Sequence, residues 1–573
     1  MVNEEDTLFR RISAALTSLS DRVRGDARVR LLKQAWPSVN RTLLNVFRVI
    51  LGLPRLAIAR MLVSRENWEG IITVLKPHVR HEYPLARSAR VLVSAYGKVG
   101  DFNAAYELAD RLARITRQPT DISRAERLRG RILEVHPGWL PSVGIPRPAD
   151  LDLSGERRVL YLAKESAPYL HNGFCTRSHE TLRSVIGTGT EVVAVTMPGF
   201  PAVIKVSDAP SSVQVDDVTY HHLLPNAHLS SMAVHEYLDL AATALAQFVI
   251  EHRPNVFHIG SGHRGFETAL VGRAVAEWAG IPWMYEVRSF FETTWTSDKR
   301  YMESAPYFHQ RHAAESRSMH AADYVVTLSG PMRDEIIEQH QVPLDKVTGI
   351  PNAVDIERFS PMERDEALRS KLGLTGFKVL GYVSNLSHPR EGQEAMIAAV
   401  PALKAAGVKA KVLLVGDGAR KPELESLAKK LGVANDVVFT GSIPFEEVSA
   451  YYAQIDLFVV PRTNERAGRL VSPMKPFEAM AMDIPILVSD LPALVEIVQD
   501  DREPRGWTYR AEDPADLARV AAGIFADEAD MQQRIRNAAA WVRRERTWSA
   551  NGQNFVAAYR QAEERHAAGR VNA

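Results

Sequence analysis

Lys475 and Glu478 are the residues of this chain whose types and spacing first suggest chemistry. They lie in "SPMKPFEAMAM" (Ser472–Met482), between two apolar runs, "IDLFVVPR" (Ile455–Arg462) and "IPILVSD" (Ile484–Asp490). Pro473 and Pro476 suit an entry loop and the first turn of a helix, where a missing N–H costs nothing. Unpaired N–H groups at such a helix start bind an anion such as a diphosphate, and Lys475 adds a point charge at the same place. Glu478, a turn later, can accept hydrogen bonds from a ribose diol. The same residues also fit a plainer arrangement, a capping carboxylate with a solvated lysine. A second set of charges, Glu286 and Arg288, closes the run "PWMYEVR". Charges at the carboxyl end of a buried strand are costly unless that strand opens on a cleft. A metal centre is not expected. His309, His312 and His320 share one polar, helix-like stretch, and no Cys, Asp or Glu constellation completes a site there. The Asp150–Asp152 pair sits in a proline-rich segment rather than after a strand.

The elements that must position these residues are legible as texture. The chain has 573 residues; at roughly 150 residues per domain it holds about three or four domains. The first stretch, 1–135, reads as all-helical, with Arg, Leu and Ala at helical spacing. Within it "ENWEGIITVL" and "GDFNAAYELA" align, placing Trp68 and Phe102 34 positions apart, the period of tetratricopeptide-type hairpins. Such a region would serve as an interaction or self-association module, or as a stabilising cap. Residues 136–158 hold four prolines and three glycines and read as a linker.

Beyond it, "RVLYLAK", "EVVAVTM", "VTYHHLL", "VFHIG", "PWMYEV" and "YVVTLS" alternate with helix-compatible segments. A second set follows: "KVLGYVS", "KVLLVGD", "DVVFTG", "LFVVPR" and "PILVSD". Short, almost wholly apolar strands alternating with helices imply parallel sheets, hence two doubly wound α/β domains. Their expected extents are 159–355 and 356–540, with a C-terminal helix over 541–573 packing back on the first of them. Ligands in such sheets bind at the carboxyl ends of the strands, so two facing sheets enclose one cleft.

Composition narrows the function. The chain has 70 Lys+Arg against 69 Asp+Glu, which gives no global reason to expect nucleic acid or an anionic membrane as the main partner. The single cysteine, Cys175, excludes an intrachain disulfide and fits a reducing compartment. The start "MVNEEDTLFRRISAAL" lacks the layout of a signal peptide. "TLLNVFRVILGLPRLAIARMLV" is interrupted by Arg48, Pro54, Arg55 and Arg60, short of the about 20 apolar residues of a spanning helix. A cytoplasmic protein is expected, compatible with a peripheral place at the inner face of a membrane.

In order along the chain, "HNGFCTRSHETL", "IPWMYEVRSFFETTW", "VTLSGPMRDEI", "IPNAVDIERF", "LLVGDG", "VVFTGSIP", "SPMKPFEAMA" and "RTWSANGQNFVAAY" resemble segments of retaining glycosyltransferases of the family 4 type, which have the GT-B fold. A branch of that family reads "TPLKPLEAMA" where this chain reads "SPMKPFEAMA". The resemblance covers about residues 157–565. It implies that Glu478 binds the nucleotide ribose and that Met474 and Lys475, after Pro473, contact the diphosphate through backbone amides. Ser384, Asn385 and Arg390 take the diphosphate loop after the first strand of the C-terminal domain, and Ser442, in "TGSIP", lies where backbone reads the nucleobase. Gly173 opens a loop that can approach the diphosphate closely because it lacks a Cβ. His258, in "NVFHIG", matches a strand-end position often occupied by His, with His263 a second candidate. Arg288 stands where most of the family has His; Arg288 and Glu292 are expected as acceptor-side or donor-phosphate contacts, with Glu286 in the same cleft. His258, Arg390 and Lys475 are the expected catalytic set. One departure is clear: the first family glutamate, a partner of donor-sugar hydroxyls, falls on Leu470, with Arg466 and Arg469 nearby.

The resemblance thus implies a retaining, metal-independent glycosyltransferase without cofactor. It would take a UDP- or GDP-linked sugar and pass it to a glycan, lipid-linked or small-molecule hydroxyl, in polysaccharide biosynthesis for example. A GT-B nucleotide-sugar epimerase and a non-catalytic, sugar-nucleotide-binding scaffold acting through the helical region are the alternatives.

Overall fold

The computed structural model describes residues 55–79, 86–262 and 264–571. The chain divides into two compact units, Met1–Arg129 and Gly130–Ala573.

In the first unit, Trp68 and Phe102 each open a helix, Trp68–Val79 and Phe102–Thr116, on either side of the helix Ala86–Lys98. Ile71, Leu75, Leu92, Val93, Leu108 and Leu112 bury a shared core. Asp101 caps its helix by accepting from the Ala104 N–H at 3.0 Å. Buried Asp121 takes a two-point bond from Arg90, at 2.9 and 2.7 Å. The expected all-helical domain 1–135 also includes residues 1–54 and 80–85, which lie outside the described residues.

The second unit holds two sheets. The first comprises β1 (Arg158–Ala163), β2 (Glu191–Thr196), β3 (Ser212–Val215), β4 (Val218–His222), β5 (Val256–Gly260), β6 (Trp283–Val287), β7 (Tyr324–Thr327) and β8 (Val347–Gly349). Their order is β3-β4-β2-β1-β5-β6-β7-β8, antiparallel at β3–β4 and parallel elsewhere. The second sheet comprises β9 (Lys378–Val383), β10 (Ala410–Val415), β11 (Val437–Phe439), β12 (Leu457–Val460), β13 (Ile486–Ser489) and β14 (Trp507–Tyr509). It is parallel throughout, in the order β11-β10-β9-β12-β13-β14. β3, β8 and β14 are short edge strands additional to the runs read from the sequence. Strand order reverses between β1 and β5 in the first sheet and between β9 and β12 in the second. Those switch points are where a doubly wound sheet opens a crevice, so the loops after β1, β5, β9 and β12 position the site.

The last helix, Trp548–Val571, returns to the first sheet. Its Phe555, Ala558, Tyr559 and Ala562 are buried with Val159, Val256 and Met284. The proline-rich segment 136–158 ends in the first residue of β1 and is not free: it is laid along the first sheet's helices. Ser142 and Gly144 donate their N–H groups to Asp239 and Thr243 at 2.7 and 2.9 Å. Trp278 Nε1 donates to the Ile145 carbonyl at 3.1 Å. Just before it, buried Glu134 accepts from Tyr307 Oη at 2.6 Å and pairs with Arg264 at 3.2 Å.

Candidate functional site

The carboxyl end of β9 runs into a tight loop. The buried Ser384 hydroxyl accepts from Gln393 Nε2 at 3.0 Å, and Asn385 Oδ1 accepts from the Ser387 N–H at 2.7 Å. The loop returns through Gly392 at φ +66°, where an added Cβ would lie 1.9 Å from the Pro461 carbonyl oxygen. It is thereby pressed on the end of β12, and backbone strain reserves the position for glycine. Gly416, in "VGDG", packs as closely on Ser384 from the other side. Arg390 is part-exposed on this loop, 3.4 Å from Glu391. Burial alone would raise the Glu391 carboxyl. Arg462, Lys475, the Tyr382 hydroxyl and Arg390 outweigh that and hold it at about 2. Glu391 is therefore a fixed negative charge gathering three cations around the loop after β9.

Met474 precedes a short helix, Lys475–Ala481, with Pro476 in its first turn. Seven residues make little macrodipole, so the Lys475 charge and the N–H groups ahead of the first internal hydrogen bond matter more than helix length. Pro473 is buried, Lys475 partly exposed. Glu478 Oε2 accepts from Tyr452 Oη at 2.5 Å. Burial raises the Glu478 carboxyl above its ordinary value, against the lowering effects of Tyr452, Lys475 and Arg358. Glu478 lines a pocket of about 320 Å³ with Glu180, Arg358, Phe445 and Met474. Arg358 lies 3.3 Å from the Phe445 ring centroid and donates to that residue's carbonyl at 2.7 Å. Ser442, three residues earlier, is exposed.

Across the cleft, Asn172 caps the helix Gly173–Ile186, accepting from the N–H groups of Phe174 and Cys175 at 2.9 and 3.0 Å. A Cβ on Gly173 would lie 3.5 Å from Met474 Cε. The two loops expected to flank a diphosphate thus meet. Cys175 is buried, and burial pushes its thiol up to about 12; it stays protonated and is no nucleophile. A second pocket, of about 300 Å³, opens at the ends of β1, β5 and β6. Lys164, Glu165, Ser178, Ser261 and Arg288 are among its lining residues. Burial, the largest effect, lowers the Lys164 ammonium to about 8.

Beneath this pocket lies a buried charge cluster. Glu286 has no exposed surface. It accepts from Arg177 Nε at 2.8 Å and from Arg288 at 2.8 and 2.5 Å. Burial would raise its carboxyl, but the two guanidinium groups and His258 hold it well below the usual range. Arg288 also donates to Ser178, the Phe174 carbonyl and Tyr161. Arg177 donates to the carbonyls of Ile350 and Pro351 and to Asn352 Oδ1.

The structure corrects three expected placements. His258 is not at the cleft: it is fully buried, ringed by Tyr161, Phe555 and Tyr559. Its Nδ1 meets Tyr559 Oη at 2.8 Å, and Nε2 lies 3.4 Å from Glu286. Burial lowers its basicity, so it is a neutral core residue. Glu286 is an anchor for Arg288 rather than a cleft group. Glu292 is buried away from both pockets, 3.6 Å from Arg466. His263 lies outside the described residues. Arg466 is committed across the cleft, 2.8 Å from Glu335 and over the Phe290 ring. At Leu470, the carbonyl accepts from Ser329 Oγ at 2.6 Å. Next to these contacts, Asn352 Nδ2 donates to the Ser472 carbonyl at 2.7 Å.

Glu292, His312 and His340 come close enough to suggest a metal. The two imidazoles, however, stack 4.2 Å apart at 13°. A metal lies in the plane of each imidazole that binds it, and near-parallel planes at this spacing share no such point. Arg466 beside them adds an opposing charge. Sequence reasoning missed Arg177, Glu180, Asn352, Arg358, Glu391, Tyr452 and Arg462. Arg177 and Glu180 lie within "HNGFCTRSHETL", and Asn352 and Arg358 within "IPNAVDIERF", which was the available signal.

Comparison with known proteins agrees with this geometry. Residues 172–353 match the family model described as glycosyl transferase 4-like domain, and residues 377–527 the one described as glycosyl transferases group 1. A D-inositol 3-phosphate glycosyltransferase of Streptomyces scabiei is 26% identical over 298 residues, 50% of this chain and 64% of the relative. A GDP-mannose-dependent alpha-(1-6)-phosphatidylinositol monomannoside mannosyltransferase of Mycolicibacterium smegmatis is 34% identical over 156 residues, 27% of this chain and 41% of the relative. The chain thus spans less than two thirds of these curated relatives. Among solved structures, sucrose-phosphate synthase from Thermosynechococcus elongatus superposes with a TM-score of 0.58 at 18% identity, covering 71% of this chain and 99% of that one. Anabaena HepE, in complex with UDP and glucose, superposes with a TM-score of 0.52 at 18% identity, covering 70% and 99%.

Proposed function

We propose that this chain, a GT4-type glycosyltransferase of GT-B fold by its two domain matches and its paired sheets, is a retaining enzyme that uses a nucleoside diphosphate sugar. Its acceptor would be a hydroxyl of a glycan, a lipid-linked intermediate or a small molecule. The observation that carries the reading is the Tyr452–Glu478 pair beside Lys475 and the Arg390 loop. A carboxylate oriented for a ribose diol thus stands next to a gathered positive field for a diphosphate. Relatives named for inositol-phosphate and mannosyl transfer support the reaction class.

In this reaction the donor's C1–O bond to phosphate breaks and its electron pair leaves with the nucleoside diphosphate. The acceptor oxygen attacks C1 on the same face, and its proton passes to the departing phosphate oxygen. Lys475 and Arg390 stabilise the charge that develops on that oxygen. The chain's remaining work is positioning and exclusion of water. Arg288, locked by Glu286, Ser178 and Tyr161, forms the acceptor-side wall, and His258 has no catalytic part.

Calorimetric titration with UDP, GDP and ADP tests the proposal, with Glu478→Ala alongside. Micromolar binding of one nucleotide, lost in the variant, is expected. Absence of binding to all three would overturn the donor site and leave the non-catalytic scaffold reading.

A further inference from the structure

Formal charge is divided unevenly along this chain. Met1–Arg129 carries 23 Lys and Arg against 13 Asp and Glu, a net of +10, leaving 47 against 56, a net of −9, in Gly130–Ala573. The near-zero total hides a basic unit joined to an acidic one, a pattern that marks a polyanionic partner for the basic unit. That unit lies wholly outside the two matched transferase spans. Of its 23 cations, 20 are arginine.

Exposed apolar side chains sit among these cations. Ile115 and Ile122 are 40% and 46% exposed at the turn between the helices Phe102–Thr116 and Pro119–Leu133, with Arg114 and Arg117 exposed beside them. Met61 and Val63, 47% and 39% exposed, lie between exposed Arg60 and Arg65. Near the isoleucines, Asp121 is buried under Arg90, Glu126 is paired with Arg129, and Asp110 with a largely exposed Arg114; Glu66 and Glu69 are exposed near Met61 and Val63. Water offers no reward for two such apolar pairs. A nucleic-acid backbone rewards the arginines but not the isoleucines. The interface of an anionic lipid bilayer rewards both, the side chains entering the headgroup region while the guanidinium groups meet phosphates.

We infer that Met1–Arg129 is a docking module for an anionic lipid surface, which brings the transferase to an acceptor held in a membrane. The module's part in the reaction rests on the transfer reading; its lipid binding does not.

Flotation of the full chain with vesicles tests this. The chain floats with equal parts phosphatidylglycerol and phosphatidylcholine, stays behind with phosphatidylcholine alone, and is released as salt rises from about 0.1 to about 0.5 M. Reversing both Arg114→Glu and Arg117→Glu lowers vesicle affinity about tenfold or more. Ile115→Ser with Ile122→Ser lowers it at unchanged net charge. Equal flotation with neutral vesicles, no flotation, or parent-like binding by both variant pairs would overturn the inference. If the isoleucine variant floats like the parent and polyuridylate displaces the chain, a nucleic acid is the partner instead. UDP titration of each variant separates the two proposals: an unchanged Kd shows intact transferase domains. A parent that floats but binds no nucleotide retains the docking module and loses the transfer reading.

Discussion

Replacing Glu286 by glutamine removes one negative charge and almost no volume from the centre of the first sheet. Three hydrogen bonds of 2.5 to 2.8 Å from Arg177 and Arg288 converge on this carboxylate, and none of its surface is exposed. The variant leaves two guanidinium groups in the interior without their counter-charge. Removing one partner of a buried pair costs about 3–5 kcal/mol, because the survivor keeps its desolvation penalty. At about 2–4 °C per kcal/mol for a domain of 150–250 residues, the unfolding midpoint should fall by on the order of 10 °C.

The pH dependence adds a sharper test. The Glu286 carboxyl is held well below its ordinary value in the folded chain. Its contribution is therefore complete above the unfolded pKa, about 4.3, and is lost as pH falls through the folded one. Scanning calorimetry of Glu286→Gln against the parent should show a constant gap in midpoint from neutral pH down to about 5, narrowing below about 4. A gap equivalent to less than about 1 kcal/mol, or one that stays constant into strong acid, would refute the reasoning.

Tyr452→Phe removes the hydrogen bond that orients Glu478, so nucleotide affinity should fall by about three- to tenfold. Because that bond holds the carboxyl down, the acid limb of binding should move to higher pH; calorimetry across pH reads both. His258→Phe gives up the Tyr559 bond and should cost about 1–3 kcal/mol of stability. Its nucleotide Kd should stay unchanged, and a fall in turnover without a stability change would restore His258 to the active site. Gly392→Ala pays about 1–2 kcal/mol for its left-handed backbone alone, and the Cβ overlap with Pro461 displaces the Arg390 loop. Nucleotide affinity and midpoint should fall together, as titration and calorimetry will show.

The central strands of both sheets were readable because each is buried on two faces and therefore almost wholly apolar. β3, Ser212–Val215, alternates exposed and half-buried residues at a sheet edge, and β8 and β14 have three residues each. Such segments leave no run to read. Lys475 and Glu478 were legible because local spacing sets where they stand on one short helix. His258 was misplaced for the same reason that its strand was found: in a strand buried on both faces, an apolar run does not say where the core ends and the cleft begins. In the register, His258 lies beside Tyr161, within β1, two residues short of the end of its own strand. Glu286 and Arg288 are two apart and so share a face. That lets the arginine fold back on the glutamate instead of reaching outward. Arg177, the other partner, is 109 residues away in sequence, and no local pattern announces such a pairing.

The tethered segment ahead of β1 bears on how this chain can be divided. A cut placed by texture, near residue 158, would strip off Glu134 and leave Tyr307 and Arg264 facing a hole in the domain's flank. It would also free the helix surfaces that Ser142, Gly144 and Ile145 now cover. A shortened chain that begins at Gly130 keeps all of these, and a protease probing the folded chain should find 142–145, between Pro141 and Pro146, resistant. What reads as a spacer is the outer wall of the first-sheet domain.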